Sequence, residues 1–303
     1  MTTTDRFLPL SDEIPADDLR GRAALVIGAS GGIGRAIAVR LSARGVRLCV
    51  VGRDRTRLNS TVRAVRSSSV GGEATVVEVA ADLTDSDRVR GLAEEVDQKL
   101  GALDILVHAA GSYQRGTLET TSVEDLDDLY RANVRLPYEV TQATLASLAR
   151  CRGDIVFINS TQGLLAGDGI GGYAATQHAM KAVAESLRSE ANSWGVRVTT
   201  IHLGRTATGL QEGVFAAEGR TYTPELLIHP NDVADVVVSA VALPKRAQIT
   251  SLTLLPTHKT RGVPRSHEVE DLEGSVHEAG CPSGGLGDVA SSDQVDGAHG
   301  EVA

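Results

Sequence analysis

Aromatic side chains are scarce here, only 3% of 303 residues. A core must therefore be filled from Val, Leu, Ile and Ala. There are three cysteines, Cys49, Cys151 and Cys281. They are far apart, odd in number and lack metal-ligand spacing, so no disulfide framework or metal site is predicted, and a reducing, cytoplasmic setting is the simplest expectation. No apolar run approaches the roughly 18–20 residues that a membrane span needs. The opening stretch MTTTDRFLPLSDEIPADDLRG carries Asp and Glu among few apolar residues and does not read as a secretory leader. Basic residues are in deficit, 30 Lys and Arg against 39 Asp and Glu, for a net charge of −9. That balance favours solubility and argues against a general nucleic-acid surface. Glycine, by contrast, is plentiful at 32 residues, which suggests tight turns and close backbone approaches.

From Arg22 to about Leu255, short β-branched runs alternate with longer amphipathic stretches. AALVIGA (Ala23–Ala29) is a continuous apolar run, as expected of a strand buried on both faces. A helix ending at Gly45 follows it, then the strand VRLCVVG, the helix RDRTRLNSTVRAVRS and the strand ATVVEVA. DSDRVRGLAEEVDQKLG reads as a helix with Asp85 or Ser86 at its N-cap. LDILVHAA, GDIVFINS, VRVTTIHL and ITSLTLLP supply four further strands. Two helices are expected within Ser122–Arg150, one over Tyr173–Trp194 and one over Asn231–Ala242. Such alternation predicts an α/β fold, a doubly wound parallel sheet of about seven strands with helices on both faces. Residues 21–257 form one domain on this reading, behind an N-terminal extension over 1–20. Gly204 to about His229 is expected to be irregular, and long connections of that kind are often lids. From 258 to 303 the chain is rich in Gly, Ser and Asp, a composition that predicts a disordered tail.

VIGASGGIGRAIA places Gly28, Gly32 and Gly34 between a strand and a helix, the context a dinucleotide site requires. Glycine lets the backbone turn sharply and approach a pyrophosphate, which the helix N-terminus then attracts. GASGGIG is followed by HAAG (His108–Gly111), Asn133, Ser160, Tyr173 and a G-x-x-x-T segment (Gly204–Thr208). In order and spacing these motifs resemble the short-chain dehydrogenase/reductase family, over about Gly21 to Leu255. The resemblance implies a single Rossmann domain, a homodimer or homotetramer, and a nicotinamide coenzyme held by Gly28, Ser30, Gly32, Ile33 and Gly34. It adds Asp82 and Leu83 at the adenine, Ala109, Ala110 and Gly111 along the coenzyme, and Gly204 and Thr206 near its carboxamide or phosphate, with Thr208 beside them. His108 stands where the family has asparagine and reads as a structural residue at a strand end.

The residue at the end of the second strand bears on the choice of coenzyme. A carboxylate there would accept from a ribose 2′-hydroxyl, whereas a cation would pair with a 2′-phosphate. This chain has Gly52 and then Arg53, and an arginine fork suits phosphate. NADP(H) is expected over NAD(H). In the alternative, Arg53 is a solvated residue at a helix start and Asp54 only a cap.

Four catalytic roles follow from the resemblance. Ser160, thirteen positions before Tyr173, orients a carbonyl, Tyr173 exchanges the proton, and Asn133 holds a water in the proton relay. The fourth role belongs to a lysine four residues after the tyrosine, and here that residue is Gln177. Tyr173 and Gln177 also count among the implied coenzyme contacts, as does Asn133. Residues i and i+4 share a helix face. A cation about 4 Å from a phenol, at an effective dielectric near 20, stabilises the phenolate by about 4 kcal/mol, and neutral glutamine cannot. Lys181, about 12 Å further along the axis, and His178, turned about 100° away, are not convincing substitutes. The expected activity is reduction of a small-molecule carbonyl, with oxidation of the alcohol weak. A non-redox member of the fold (dehydratase, isomerase or cyclase) and a catalytically silent coenzyme-binding protein stay open.

Overall fold

The computed structural model describes residues 18–69, 74–83 and 85–258. The tail expected over 258–303 lies outside them except for His258, as does the extension over 1–20 except for residues 18–20. Cys281 is likewise outside.

Seven strands are described: β1 (Ala23–Ile27), β2 (Arg47–Gly52), β3 (Val76–Ala80), β4 (Ile105–His108), β5 (Asp154–Ser160), β6 (Arg197–Leu203) and β7 (Ser251–Leu254). They form one parallel sheet in the order β3-β2-β1-β4-β5-β6-β7. β1 and β6 are buried along their whole length; β1 accordingly reads as an unbroken apolar run, whereas β6 buries Arg197, Thr199, Thr200 and His202 among its apolar residues. Alternate residues feed two separate cores. Val26, Val50, Val107 and Ile201 pack with one set of helices, and Leu25, Val51, Leu106 and Phe157 with the other.

The first set is α1 (Gly32–Ser42), α2 (Arg55–Ser68) and α8 (Pro230–Val241), through Ile37, Leu58, Val62 and Val237. The second includes α3 (Ser86–Leu100), α5 (Leu136–Cys151) and α6 (Gly171–Ala191), through Leu92, Val96, Leu148 and Ala184. Local chemistry starts these helices. Asp54 accepts from Arg57 N–H at 2.9 Å and Asp85 from Asp87 N–H at 2.9 Å. Ser122 and Asp125 form a capping box at α4 (Val123–Tyr130). Pro230 opens α8, its fixed φ suiting a first helical position.

Two features depart from the expectations. The stretch over Ser122–Arg150 does not break cleanly into two helices: a π-helical turn, Arg131–Arg135, joins α4 to α5. The segment expected to be irregular carries a further helix, α7 (Gly209–Ala217), and a 3₁₀ turn at Pro224–Leu226. Thr208 starts α7 by accepting from Gln211 N–H at 3.3 Å. No helix among the described residues is long and apolar enough to cross a membrane.

Strand order reverses direction between β1 and β4. In open α/β sheets the crevice beyond the carboxyl ends of the strands at that point is where ligands bind, and it is here that the motifs converge.

Candidate active site

A cleft of about 810 Å³ runs across the carboxyl ends of the strands. One wall is the turn between β1 and α1. Gly28 has φ +87°, and a Cβ there would lie 2.5 Å from the Ala110 backbone nitrogen. A side chain at Gly34 would collide with the Gly28 carbonyl. These glycines let α1 and the end of β4 close on the turn. Gly31 caps α1 without a side-chain hydrogen bond, so the first-turn N–H groups of α1, which have no intrahelical partner, are left available to an anion.

Of the residues singled out in the sequence, Gly28, Ser30, Gly32, Ile33, Arg53, Asp82 and Leu83 line this cleft. So do Ala109, Ala110, Gly111, Asn133, Ser160, Tyr173, Gln177, Gly204, Thr206 and Thr208. Gly34 does not; it packs behind the turn against Gly28. Arg57, which the sequence reading did not single out, joins Arg53 on the wall, one helical turn along. That i, i+4 spacing was the available signal. Asp54 spends its carboxylate on the start of α2.

Past the glycine turn, Ser160 ends β5 and its hydroxyl accepts from Gln162 N–H at 3.1 Å. Tyr173 sits in the first turn of α6, with Tyr113 packed edge-on at 5.0 Å between ring centroids. Burial raises the Tyr173 phenol above its ordinary value, hydrogen bonding with Ser160 pulls the other way, and Tyr113 raises it further. No cation figures among these influences. Gln177 is buried one turn along α6, and its backbone carbonyl accepts from the Asn159 side chain at 3.1 Å. Lys181 pairs with Glu185 at 2.8 Å, and His178 Nδ1 lies 2.9 Å from the Ala174 carbonyl. Neither lines the cleft.

Asn133 lies within the π-helical turn. Turns of that kind often occur at functional sites. Its Oδ1 accepts from Ser112 N–H at 2.7 Å, while Nδ2 donates to the Ser112 carbonyl at 2.9 Å and to Thr176 Oγ1 at 3.0 Å. The amide thus joins the loop after β4 to α6. His108 is buried, stacked on Phe157 at 4.8 Å, with Nε2 2.9 Å from Thr141 Oγ1. That hydroxyl donates to the Pro137 carbonyl, so Nε2 carries the proton and donates. Burial pushes the imidazole down to about 3.

The far end of the cleft holds Tyr113, Arg115, Arg205, Val214 and Glu218, which the sequence reading did not name. Only Arg205 had a local signal, its place directly after Gly204. The rest come together through the fold of α7 and the loop after β4. Among the described residues no group of three or more His, Cys, Asp or Glu could hold a metal ion.

Residues 22–219 match the short chain dehydrogenase family. An uncharacterised short-chain type dehydrogenase/reductase of Sinorhizobium fredii is 32% identical over 249 residues, covering 80% of this chain and 94% of that relative. A short chain dehydrogenase from Burkholderia cenocepacia, solved in complex with NADP, superposes with a TM-score of 0.69 at 29% identity, over 78% of this chain and 98% of that one. One from Mycobacterium paratuberculosis, bound to NAD, gives 0.69 at 25% identity, over 78% and 97%. The chain belongs to the short-chain dehydrogenase family of oxidoreductases.

Proposed function

We propose that this chain is a nicotinamide-dependent carbonyl reductase that favours NADP(H) and takes its proton from Tyr173. The single observation that carries the reading is the Tyr173 phenol, half-buried beside the Ser160 hydroxyl, in one cleft with an uncapped helix N-terminus. The residues present suit a dinucleotide. Gly28 and Gly34 leave room for backbone approach, and α1 offers free N–H groups to a pyrophosphate. Arg53 and Arg57 face the cleft at the end of β2, and Asp54, the acidic residue after Arg53, accepts from Arg57 N–H at the start of α2. This favours a 2′-phosphate. Likeness to a solved NADP complex and to a solved NAD complex supports the coenzyme class and leaves the choice to these arginines.

The bound nicotinamide supplies the hydride. Tyr173 holds the proton at its phenolic oxygen, and the Ser160 hydroxyl is placed to orient the carbonyl oxygen toward it. Asn133 acts as a positioning residue, holding the loop at Ser112 against Thr176. A phenol is protonated at neutral pH at its ordinary value of about 10 and burial raises Tyr173 further, so donation is ready and the reverse reaction lacks a base. The same cleft binds and reduces small molecules in a homodimer or homotetramer.

Calorimetric titration with NADPH and NADH tests the coenzyme, and absorbance at 340 nm with a panel of ketones tests the chemistry. NADPH should bind the more tightly, and Arg53→Ala should erode that preference about tenfold. Tyr173→Phe should cost roughly 10²–10⁴ in reduction rate. Binding of neither coenzyme would overturn the enzymatic reading, and a preference for NADH would overturn the phosphate assignment.

A further inference from the structure

We infer that the substrate carries a carboxylate, which Arg115 and Arg205 bind at the far end of the cleft; this rests on the reductase reading above. Around the whole cleft stand four arginines, Arg53, Arg57, Arg115 and Arg205, and two carboxylates, Asp82 and Glu218. The chain as a whole is acidic, at −9, so an excess of positive charge here runs against its composition. Arg53 and Arg57 follow β2, whereas Arg205 follows β6, four strands away in the sheet. At about 4.8 Å per strand that separation is roughly 19 Å. The two arginine pairs therefore serve different parts of a bound complex.

Glu218 does not neutralise its neighbours. It accepts from Arg205 Nη2 with both oxygens at 2.9 Å, from Arg115 Nη1 at 3.2 Å and from Arg220 Nη1 at 3.1 Å. One carboxylate is shared among three guanidiniums. Burial raises Glu218, and Arg205 and Arg220 more than offset it, leaving the carboxyl below its ordinary value and charged. The Phe215 ring fixes the cluster, with Arg205 and Arg220 at 4.9 and 4.8 Å from its centroid. Arg205 Nη1 is buried and has no hydrogen-bond partner among the described residues. A buried donor without an acceptor is costly, and a guanidinium edge matches a carboxylate in shape and charge. Arg115 keeps 39% of its side chain exposed, so it presents further N–H groups to an incoming anion. Val214 lines the same end and would contact the aliphatic part of an oxo acid.

The test pairs 4-oxopentanoate and 5-oxohexanoate with their methyl esters, which share the ketone and lack the charge. With NADPH, kcat/KM should be at least about tenfold higher for the acids, and that preference should fall about tenfold in Arg115→Gln. Esters reduced as well as acids, or a preference that Arg115→Gln leaves unchanged, overturn the carboxylate assignment while the reductase reading stands. If no compound is reduced, the reductase reading fails instead, and calorimetry on coenzyme-loaded protein decides the assignment. Acid-selective binding that weakens in Arg115→Gln upholds it, and equal or absent binding overturns it.

Discussion

Gln177 occupies the position from which a cation would act on Tyr173, and among the described residues nothing positive replaces it, since Lys181 is paired with Glu185 and no cation among them shifts the phenol. The phenol is therefore an acid with a raised value, protonated well above neutrality. Reduction should hold level with pH up to about 10, the ordinary tyrosine value, and oxidation should be slow below it. Gln177→Lys brings about 4 kcal/mol of phenolate stabilisation at 4 Å and an effective dielectric near 20. The alkaline fall in reduction should then move to lower pH, and alcohol oxidation at pH 8 should rise at least tenfold. Both are read from pH–rate profiles, and identical profiles for the two proteins would refute the argument. His108 makes a second prediction. Its folded-state value is lowered to about 3 by burial, against about 6.5 when unfolded. The unfolded chain alone takes the proton between those values, so stability is full above about 6.5 and is lost as pH falls toward 3. In His108→Asn that loss should shrink by up to about 1.4 kcal/mol per pH unit across the window. Urea denaturation at pH 7, 5.5 and 4.5 measures it.

The elements show where the sequence could be read and where it could not. β1 is buried on both faces, so an unbroken apolar run announced it, and the glycine turn announced one wall of the cleft. α7 gave no such signal. Gly209 and Gly213 lower its helix propensity, and it exists because Val214 and Phe215 bury themselves. The π-helical turn has no compositional mark either, since a slipped hydrogen bond leaves the residues unchanged, yet it is what carries Asn133 to Ser112 and Thr176. The arginines around Glu218 lie up to 105 positions apart, from Arg115 to Arg220, and only folding assembles them. The β1–α1 turn, the most legible element, is also the least tolerant. Gly28→Ala combines a φ of +87° with a clash against backbone at Ala110, which no side-chain motion relieves. It should cost roughly 1–3 kcal/mol and abolish measurable coenzyme binding, as followed by denaturation and titration of one preparation.

Across the whole molecule, stability and binding are assigned to opposite ends of the sheet. The cleft lies at the carboxyl ends of the strands, while Asp154 and Arg197 begin β5 and β6 at the other end. Both side chains are almost fully buried and meet at 2.6 Å. Arg197 Nη1 also donates to the carbonyls of Leu243, Pro244 and Ala247 at 2.8, 3.2 and 2.9 Å, and Nη2 to Val241 at 3.0 Å. It thereby ties the end of α8 to the sheet. Lys245 reaches Asp154 at 3.0 Å, but its charge is partly exposed and cannot satisfy the four carbonyls. Arg197→Met keeps the aliphatic bulk and leaves a buried carboxylate short of its main partner. Losing one side of such a pair typically costs about 3–5 kcal/mol, which for a domain of this size is roughly 6–20 °C in Tm. Because none of these groups lines the cleft, coenzyme affinity measured well below Tm should stay within about twofold of the parent, since distant and independent sites act additively. A variant that kept its Tm would show that Arg197 is not the tie described, and one that lost coenzyme affinity while folded would show that the two ends of the sheet are coupled.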